Sequence, residues 1–197
     1  MNAEKTTNQM RRVFFAIQLN EYTVKCLAEV QSYIRPLVKK GRFTDPVNFH
    51  LTLQFVGEIP DEKISQLMIH QPNGPVLSRP LTLKVEGLGS FEKRRRHILW
   101  AGLESNETLS ELTGWLRNHL AEKGFANHTP FHPHITLARE CVFIDAAARS
   151  AFDRMKVALP AVSAEKYVLM ESRRIEGRLR YLPLMVFPLS QLPNHHS

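Results

Sequence analysis

Ten residues, NFHLTLQFVG at 48–57, set the first constraint on this chain. Apolar Leu51, Leu53 and Phe55 alternate with His50, Thr52 and Gln54. Only an extended strand turns that period of two into one apolar and one polar face. A second stretch, PFHPHITLARE at 130–140, repeats the pattern with Ile135 and Leu137 opposite His134 and Thr136. Nine His and ten Thr in 197 residues give about half a chance occurrence of His-x-Thr, and requiring an apolar middle residue and a following Leu lowers this to roughly 0.02. Two such hits are not accidents of composition. One strand of this kind reads as a solvated sheet face; two matching strands call for something that both polar faces serve.

The remaining segments supply the elements around these strands. VFFAIQL at 13–19 is aromatic and β-branched, the signature of a buried strand. Val24, Leu27, Val30, Ile34, Leu37 and Val38 fall at helical spacing after the N-capping Asn20, which predicts a helix ending near Gly41. GEIPDEKISQLMIHQPNGP reads as a loop, a short helix and a turn. Strands are expected at 81–87, 98–103, 163–172 and 179–187. Leu109, Leu112, Leu116 and Leu120 predict a second amphipathic helix from Asn106 to a stop at Gly124, and a modest helical pattern follows Asp145. Several neighbouring strands are joined by connections too short for a crossover helix, so they pair antiparallel and the class is α+β. The two His/Thr strands each follow an amphipathic helix, as in a loose duplication with two similar lobes. We expect residues 1–12 and 190–197 to be flexible ends around one domain at 13–189.

Charge and cysteines bound the setting. A net charge of +7 and a pI near 9.6 favour acidic partners, nucleic acid or a phosphorylated metabolite, although a merely soluble basic protein fits the charge as well. Cys26 and Cys141 offer neither a disulfide framework nor metal-ligand spacing. The polar start MNAEKTTNQM has no apolar signal region, and no apolar run approaches the roughly 20 residues that span a bilayer. We therefore expect a cytoplasmic protein with no membrane partner.

Two imidazoles facing one cleft can act as general base and general acid on opposite sides of a reacting atom, because histidine titrates near neutrality. Thr52 and Thr136 would lie beside the rings as hydroxyl donors to anionic oxygens. Base, acid and donors around one phosphorus suit in-line attack on a phosphodiester whose leaving oxygen needs a proton, with no metal required.

HLTL at 50–53 and HITL at 134–137 resemble the paired motifs of the 2H phosphoesterase superfamily. VFFAIQLN, NFHLTLQFVGEI, PFHPHITLAR and a final RLRYLPL look like its RNA 2′,3′-cyclic phosphodiesterase branch, also called 2′-5′ RNA ligases. The resemblance runs in order from Val13 to Leu184. It implies a bilobal, pseudo-symmetric fold with antiparallel sheets forming a central cleft and helices outside. It also implies that His50 is the proton donor and His134 the proton acceptor, an orientation the sequence alone leaves open, and that Thr52 and Thr136 hold the phosphate. In this branch an Arg five positions after the second His contacts phosphate or substrate, and Arg139 stands there. Strict alternation would put Arg139 on the core face, so the resemblance implies that the strand ends or bulges after Leu137. The implied reaction hydrolyses a terminal 2′,3′-cyclic phosphate of RNA to a 2′-phosphate, without ATP, metal or other cofactor. A 5′-hydroxyl in place of water would give a 2′-5′ linkage. The implied partner is RNA with a cyclic end, tRNA fragments included, or a nucleotide, handled by a monomer. Other cyclic or 2′-5′ nucleotides stay open as substrates, and so does a non-catalytic module that binds RNA ends.

The rest of the chemistry-bearing residues are weaker signals. His132 with His134 makes only two nitrogens, with no carboxylate or Cys beside them, so a metal pair is disfavoured and His132 is expected to shape the strand entrance. The cationic run from Lys93 to His97 is either an arm for RNA phosphates or solvated hairpin charge. Arg173, Arg174, Arg178 and Arg180 pose the same choice, weighted towards substrate. Phe14 and Phe15 fall on opposite faces of the first strand and are expected in the core, although one could reach the cleft and stack on a base.

Overall fold

The computed structural model describes residues 9–68, 75–77, 80–125 and 130–191. The turn expected after the short helix falls partly outside these residues, as do most of the expected flexible ends and the terminal His195 and His196. Twelve strands and three α-helices follow one another in the described chain: β1 (Met10–Gln18), α1 (Glu21–Ile34), β2 (Val38–Phe43), β3 (His50–Pro60), β4 (Val76–Leu77), β5 (Leu81–Leu83), β6 (Val85–Lys93), β7 (Arg96–Leu103), α2 (Glu107–Glu122), β8 (His134–Phe143), α3 (Ala146–Asp153), β9 (Val162–Ala164), β10 (Lys166–Ile175), β11 (Arg178–Pro188) and β12 (Ser190–Gln191). Short 3-10 helices occupy Arg35–Leu37, Pro46–Asn48 and Asp61–Leu67.

The main sheet is antiparallel throughout, in the order β11-β10-β1-β3-β8-β7-β6, with β2 also paired to β8. This is the α+β architecture expected from the short connections. Strands β3 and β8, which carry the two motifs, touch by a single register pair, Leu51 with Ile135. Beyond it, β2 takes over the edge of β8, from Phe43 opposite Ala138 to Val38 opposite Phe143. The sheet therefore splits into two lobes joined at one point, and the cleft opens where β3 and β8 diverge.

All three helices pack on the face of the sheet away from the motif histidines. Leu27, Val30 and Ile34 of α1, the four leucines of α2 and Phe152 of α3 share one core with Leu51, Leu53, Ile135 and Leu137. Each fully buried Leu contributes on the order of 1.5–3 kcal/mol. Asn20, Asn106 and Asp145 cap the three helices, each side chain accepting a backbone N–H three residues on.

Five boundaries differ from expectation, the first being the loop expected from Gly57, whose opening residues instead extend β3 to Pro60. Helix α1 stops at Ile34 rather than near Gly41, because Pro36 has no N–H to bond the Ser32 carbonyl; the chain turns and Val38–Phe43 becomes a strand. The strand expected at 81–87 is two, β5 pairing with β9 and β6 joining the main sheet. The strand expected at 163–172 divides the same way into β9 and β10. Finally, β1 starts at Met10, where it meets Pro60 at the end of β3.

The largest correction concerns Phe55, which strict alternation places in the core with Leu51 and Leu53. The pairing of β1 with β3 skips twice: Phe14 lies opposite Phe55, Phe15 opposite Gln54 and Ala16 opposite Thr52, so Val56 and Leu53 are extra residues. Each bulge shifts the face of everything beyond it. Leu53 and Gln54 both turn inward, at 2% and 9% exposure, and Phe55 emerges on the cleft side at 42%.

Candidate functional site

The antiparallel pair Leu51–Ile135 explains how the two motifs face each other. One step either way along this register sets His50 beside Thr136 and Thr52 beside His134, so a local two-fold axis exchanges one motif for the other. Leu51 and Ile135 are fully buried below, and the four polar residues stand on the opposite face.

The two rings are held alike. His50 Nδ1 donates to the Asn48 carbonyl at 2.7 Å, and His134 Nδ1 donates to the His132 carbonyl at 2.7 Å. A carbonyl can only accept, so each Nδ1 carries a proton and each Nε2 is the nitrogen left to work. His50 Nε2 lies 2.9 Å from the Thr52 hydroxyl, which donates to it while the ring is neutral. Aromatic rings support both imidazoles. Phe14 lies 5.0 Å and Tyr181 4.9 Å from His50 between centroids, and Phe91 stands edge-on to His134 at 5.1 Å. His132 packs against Trp100 at 4.9 Å and Phe91 at 5.2 Å, so it shapes the strand entrance with its ring and positions His134 with its carbonyl.

Arg139 reaches the same face because β8 bulges. As β7 advances from His97 to Trp100, β8 moves from Cys141 to Thr136, so Leu137 and Ala138 both turn inward and Arg139 turns outward. Glu140, at a φ of 57°, takes up the kink. Gln31, a buried side chain of α1, donates to the Leu137 carbonyl and to the Thr44 carbonyl at 2.8 Å each, and the Thr44 N–H adds a bond of 2.9 Å to Leu137. The bulge is thus tied down from below, and Arg139 Nη2 lies 3.4 Å from the Thr136 hydroxyl.

Burial, with Arg139 and His134 nearby, pushes His50 down to about 4, against the opposing pull of the Asn48 carbonyl. Burial also lowers His134, helped by His132 and Arg139 and opposed by the His132 carbonyl. Both rings are therefore neutral near pH 7 in the empty site. An anion entering between them and Arg139 opposes the cationic part of that depression. Burial raises the Cys141 thiol to about 11, so Cys141 behaves as a packed apolar group beneath Gly41.

A groove of about 970 Å³ leads away from His50 over β1, β10 and β11, lined by seven arginines that include Arg139, Arg174 and Arg180. Arg180 pairs with Asp45 at 2.7 Å. The cationic run on the other lobe, by contrast, forms the β6–β7 turn at Arg94 and Arg95, and Arg96 pairs with Glu140. Among the described residues no cluster of three or more His, Cys, Asp or Glu could hold a metal ion, and no helix is long and apolar enough to cross a membrane.

Besides Gln31, four supporting residues escaped the sequence reading. Asn48 is buried, donates from Nδ2 to the Leu179 carbonyl at 2.9 Å and accepts from the Tyr181 N–H at 3.2 Å, so it staples β11 to the carbonyl that holds His50. Tyr181, Phe91 and Trp100 form the aromatic supports. The available signal was positional, since the carbonyl two residues before each histidine plays the same part whatever the side chain. Phe14 is 2% exposed and packs under His50, in keeping with the expected core role.

Known proteins are similar to this chain over most of its length. An RNA 2′,3′-cyclic phosphodiesterase of Thermotoga maritima is 34% identical over 132 residues, 65% of this chain and 69% of that protein. An Escherichia coli protein of the same description is 29% identical over 187 residues, 93% of this chain and 99% of its own. The crystal structure of E. coli LigT in apo form superposes with a TM-score of 0.72 at 28% identity, covering 93% of this chain and 99% of that one. The family model of the 2′-5′ RNA ligase superfamily matches residues 28–166. That span holds both His/Thr strands and the point where they meet, and the chain belongs to the 2′-5′ RNA ligase superfamily.

Proposed function

We propose that this protein is an RNA 2′,3′-cyclic phosphodiesterase that opens a terminal 2′,3′-cyclic phosphate and leaves a 2′-phosphate. The observation that carries the reading is the matched pair of imidazoles, each locked through Nδ1 to a carbonyl two residues back so that Nε2 is left to work, that of His50 2.9 Å from the Thr52 hydroxyl. Water attacks phosphorus and gives its proton to His134 Nε2; the bond from phosphorus to the 3′ oxygen breaks, and that oxygen takes a proton from His50 Nε2. Thr52, Thr136 and Arg139 hold the non-bridging oxygens and their growing negative charge. His50 must be protonated once substrate is bound, and the phosphate's own charge favours this by opposing Arg139. A 5′-hydroxyl of RNA in place of water turns the same steps into formation of a 2′-5′ linkage. Both cysteines are free thiols, which suits a cytoplasmic setting, and the protein acts there as a monomer without metal.

The test is incubation in EDTA with an RNA oligomer bearing a 2′,3′-cyclic phosphate, followed by identification of the product terminus. A 2′-phosphate is expected, with kcat falling about 10²–10⁴-fold in His50→Ala and in His134→Ala. Full activity in either variant, or a 3′-phosphate product, would overturn the mechanism.

A further inference from the structure

The His132 carbonyl holds the His134 ring as the Asn48 carbonyl holds His50, yet the two side chains go opposite ways. Asn48 is 5% exposed and hydrogen-bonded to β11, whereas His132 is exposed and sets its ring against Trp100 and Phe91. The backbone of His132 does the holding, so its imidazole is left without a part in the reaction. Trp100 pairs with Thr136 and Gly102 with His134, which puts the indole on the cleft face beside the site. On the other side of β7, Gly89 lies opposite Trp100. A Cβ would meet the indole at 2.1 Å on Gly89 and at 2.8 Å on Gly102, so two glycines make room for one ring. Phe91, Trp100 and His132 meet pairwise at centroid distances of 4.9–5.2 Å, inclined by 41° to 76°, so no two of them are stacked face on face. All three lie within 6.3 Å of the His134 ring, centroid to centroid.

In-line attack puts the entering and leaving oxygens on opposite sides of phosphorus. The leaving 3′ oxygen belongs to the ribose of the cyclic end, so that nucleoside stays on the His50 side. An attacking oxygen within reach of His134 Nε2 brings whatever it is bonded to onto the His134 lobe. Water brings nothing. A 5′-hydroxyl brings a ribose and a base, and the ribose supplies the spacing between Nε2 and the three rings. We infer that Phe91, Trp100 and His132 form a platform for the base of an attacking 5′-hydroxyl nucleoside, and that it recruits this alcohol in place of water; the assignment rests on the phosphodiesterase reading, with His134 as base. The 5′ oxygen gives its proton to His134 Nε2 as it bonds phosphorus. The bond from phosphorus to the 3′ oxygen breaks, and that oxygen takes the proton of His50 Nε2. In reverse, the platform holds the nucleoside released from a 2′-5′ linkage.

The test offers an RNA 2′,3′-cyclic phosphate two acceptors, a 5′-hydroxyl dinucleotide and the same molecule with its 5′ nucleotide abasic, and measures ligation and hydrolysis together. Wild type is expected to prefer the base-bearing acceptor by about ten-fold or more. His132→Ala should lose most of that preference, and His132→Tyr, which keeps a ring, should retain it. Any loss of support for His134 lowers hydrolysis and both acceptors alike, so it leaves the preference unmoved. Equal use of the two acceptors by wild type, a loss in His132→Ala shared equally by both, or hydrolysis without ligation at saturating acceptor would overturn the proposal. Binding is read apart from turnover in Trp115→Phe, which leaves Trp100 as the single tryptophan of the chain. Adenosine is expected to quench its fluorescence and ribose is not. Such quenching supports the platform even if no cyclic phosphate is hydrolysed, which would sink the phosphodiesterase reading alone; unchanged emission refutes the platform.

Discussion

Lowering the pH from 7 to 4 protonates His50 in the unfolded chain well before it does so in the folded protein, and the size of the gap follows from the site. Its ordinary value of 6.5 falls to about 4 in the folded state, chiefly through burial against Phe14 and Tyr181, with Arg139 and His134 adding repulsion. A gap of roughly 2.5 units at about 1.36 kcal/mol per unit is about 3 kcal/mol. That figure is a ceiling, because the Nε2 edge of the ring faces the open groove. The unfolded state takes up the proton first, so this stability is complete above the unfolded value, is lost progressively as pH falls from about 6.5 to about 4, and changes little below. The assay is urea unfolding of wild type and His50→Gln at intervals from pH 7.5 to 4, alongside NMR titration of the His50 ring. The wild-type curve should fall by up to about 3 kcal/mol more than that of the variant. The other depressed histidines, His97, His119 and His134, contribute in the same direction to both proteins and cancel in the difference. A His50 ring that titrates near 6.5, or two parallel stability curves, would refute the reasoning. Saturating phosphate should move the ring titration upward, since an anion beside Arg139 opposes its repulsion.

Two further substitutions probe the supports. Asn48→Ala removes two side-chain hydrogen bonds and strands the Tyr181 N–H, while the Leu179 carbonyl keeps Arg180, so unfolding free energy should drop by about 1–3 kcal/mol, and kcat should fall more than KM changes as the carbonyl holding His50 shifts. Gly89→Ala places a methyl carbon 2.1 Å from the Trp100 ring, whose outer edge crowds that glycine; a loss of about 1–3 kcal/mol and a changed tryptophan near-UV signal are expected, and an unaltered spectrum would show that the indole does not rest there.

Much of the fold was legible because each long element announces itself locally. The leucines of α2 recur at helical spacing between Asn106 and Gly124, and the observed helix, Glu107–Glu122, fits between those two signals. Misreadings fell where a non-local constraint or a single proline overrode the period. Pro36 cut α1 short although Leu37 and Val38 kept its apolar spacing. Bulges in β3 and β8 could not be read from either strand alone, since a bulge exists only relative to a partner; they reversed Phe55 and brought Arg139 out. For Arg139 the family resemblance supplied what periodicity could not.

The sequence by itself determined the chemistry on offer: two His-x-Thr strands with apolar undersides, no metal-ligand spacing, and an excess of arginine. Side-chain identity and a period of two are local properties, and both survive in the primary structure. Only the tertiary structure decided that one backbone pair, Leu51 with Ile135, sets the two motifs in apposition, that carbonyls two residues back fix the same tautomer in both rings, and that seven arginines line one groove beside His50. Register, hydrogen-bond partners and solvent exclusion belong to pairs of segments brought together from distant parts of the chain, and no single segment carries them.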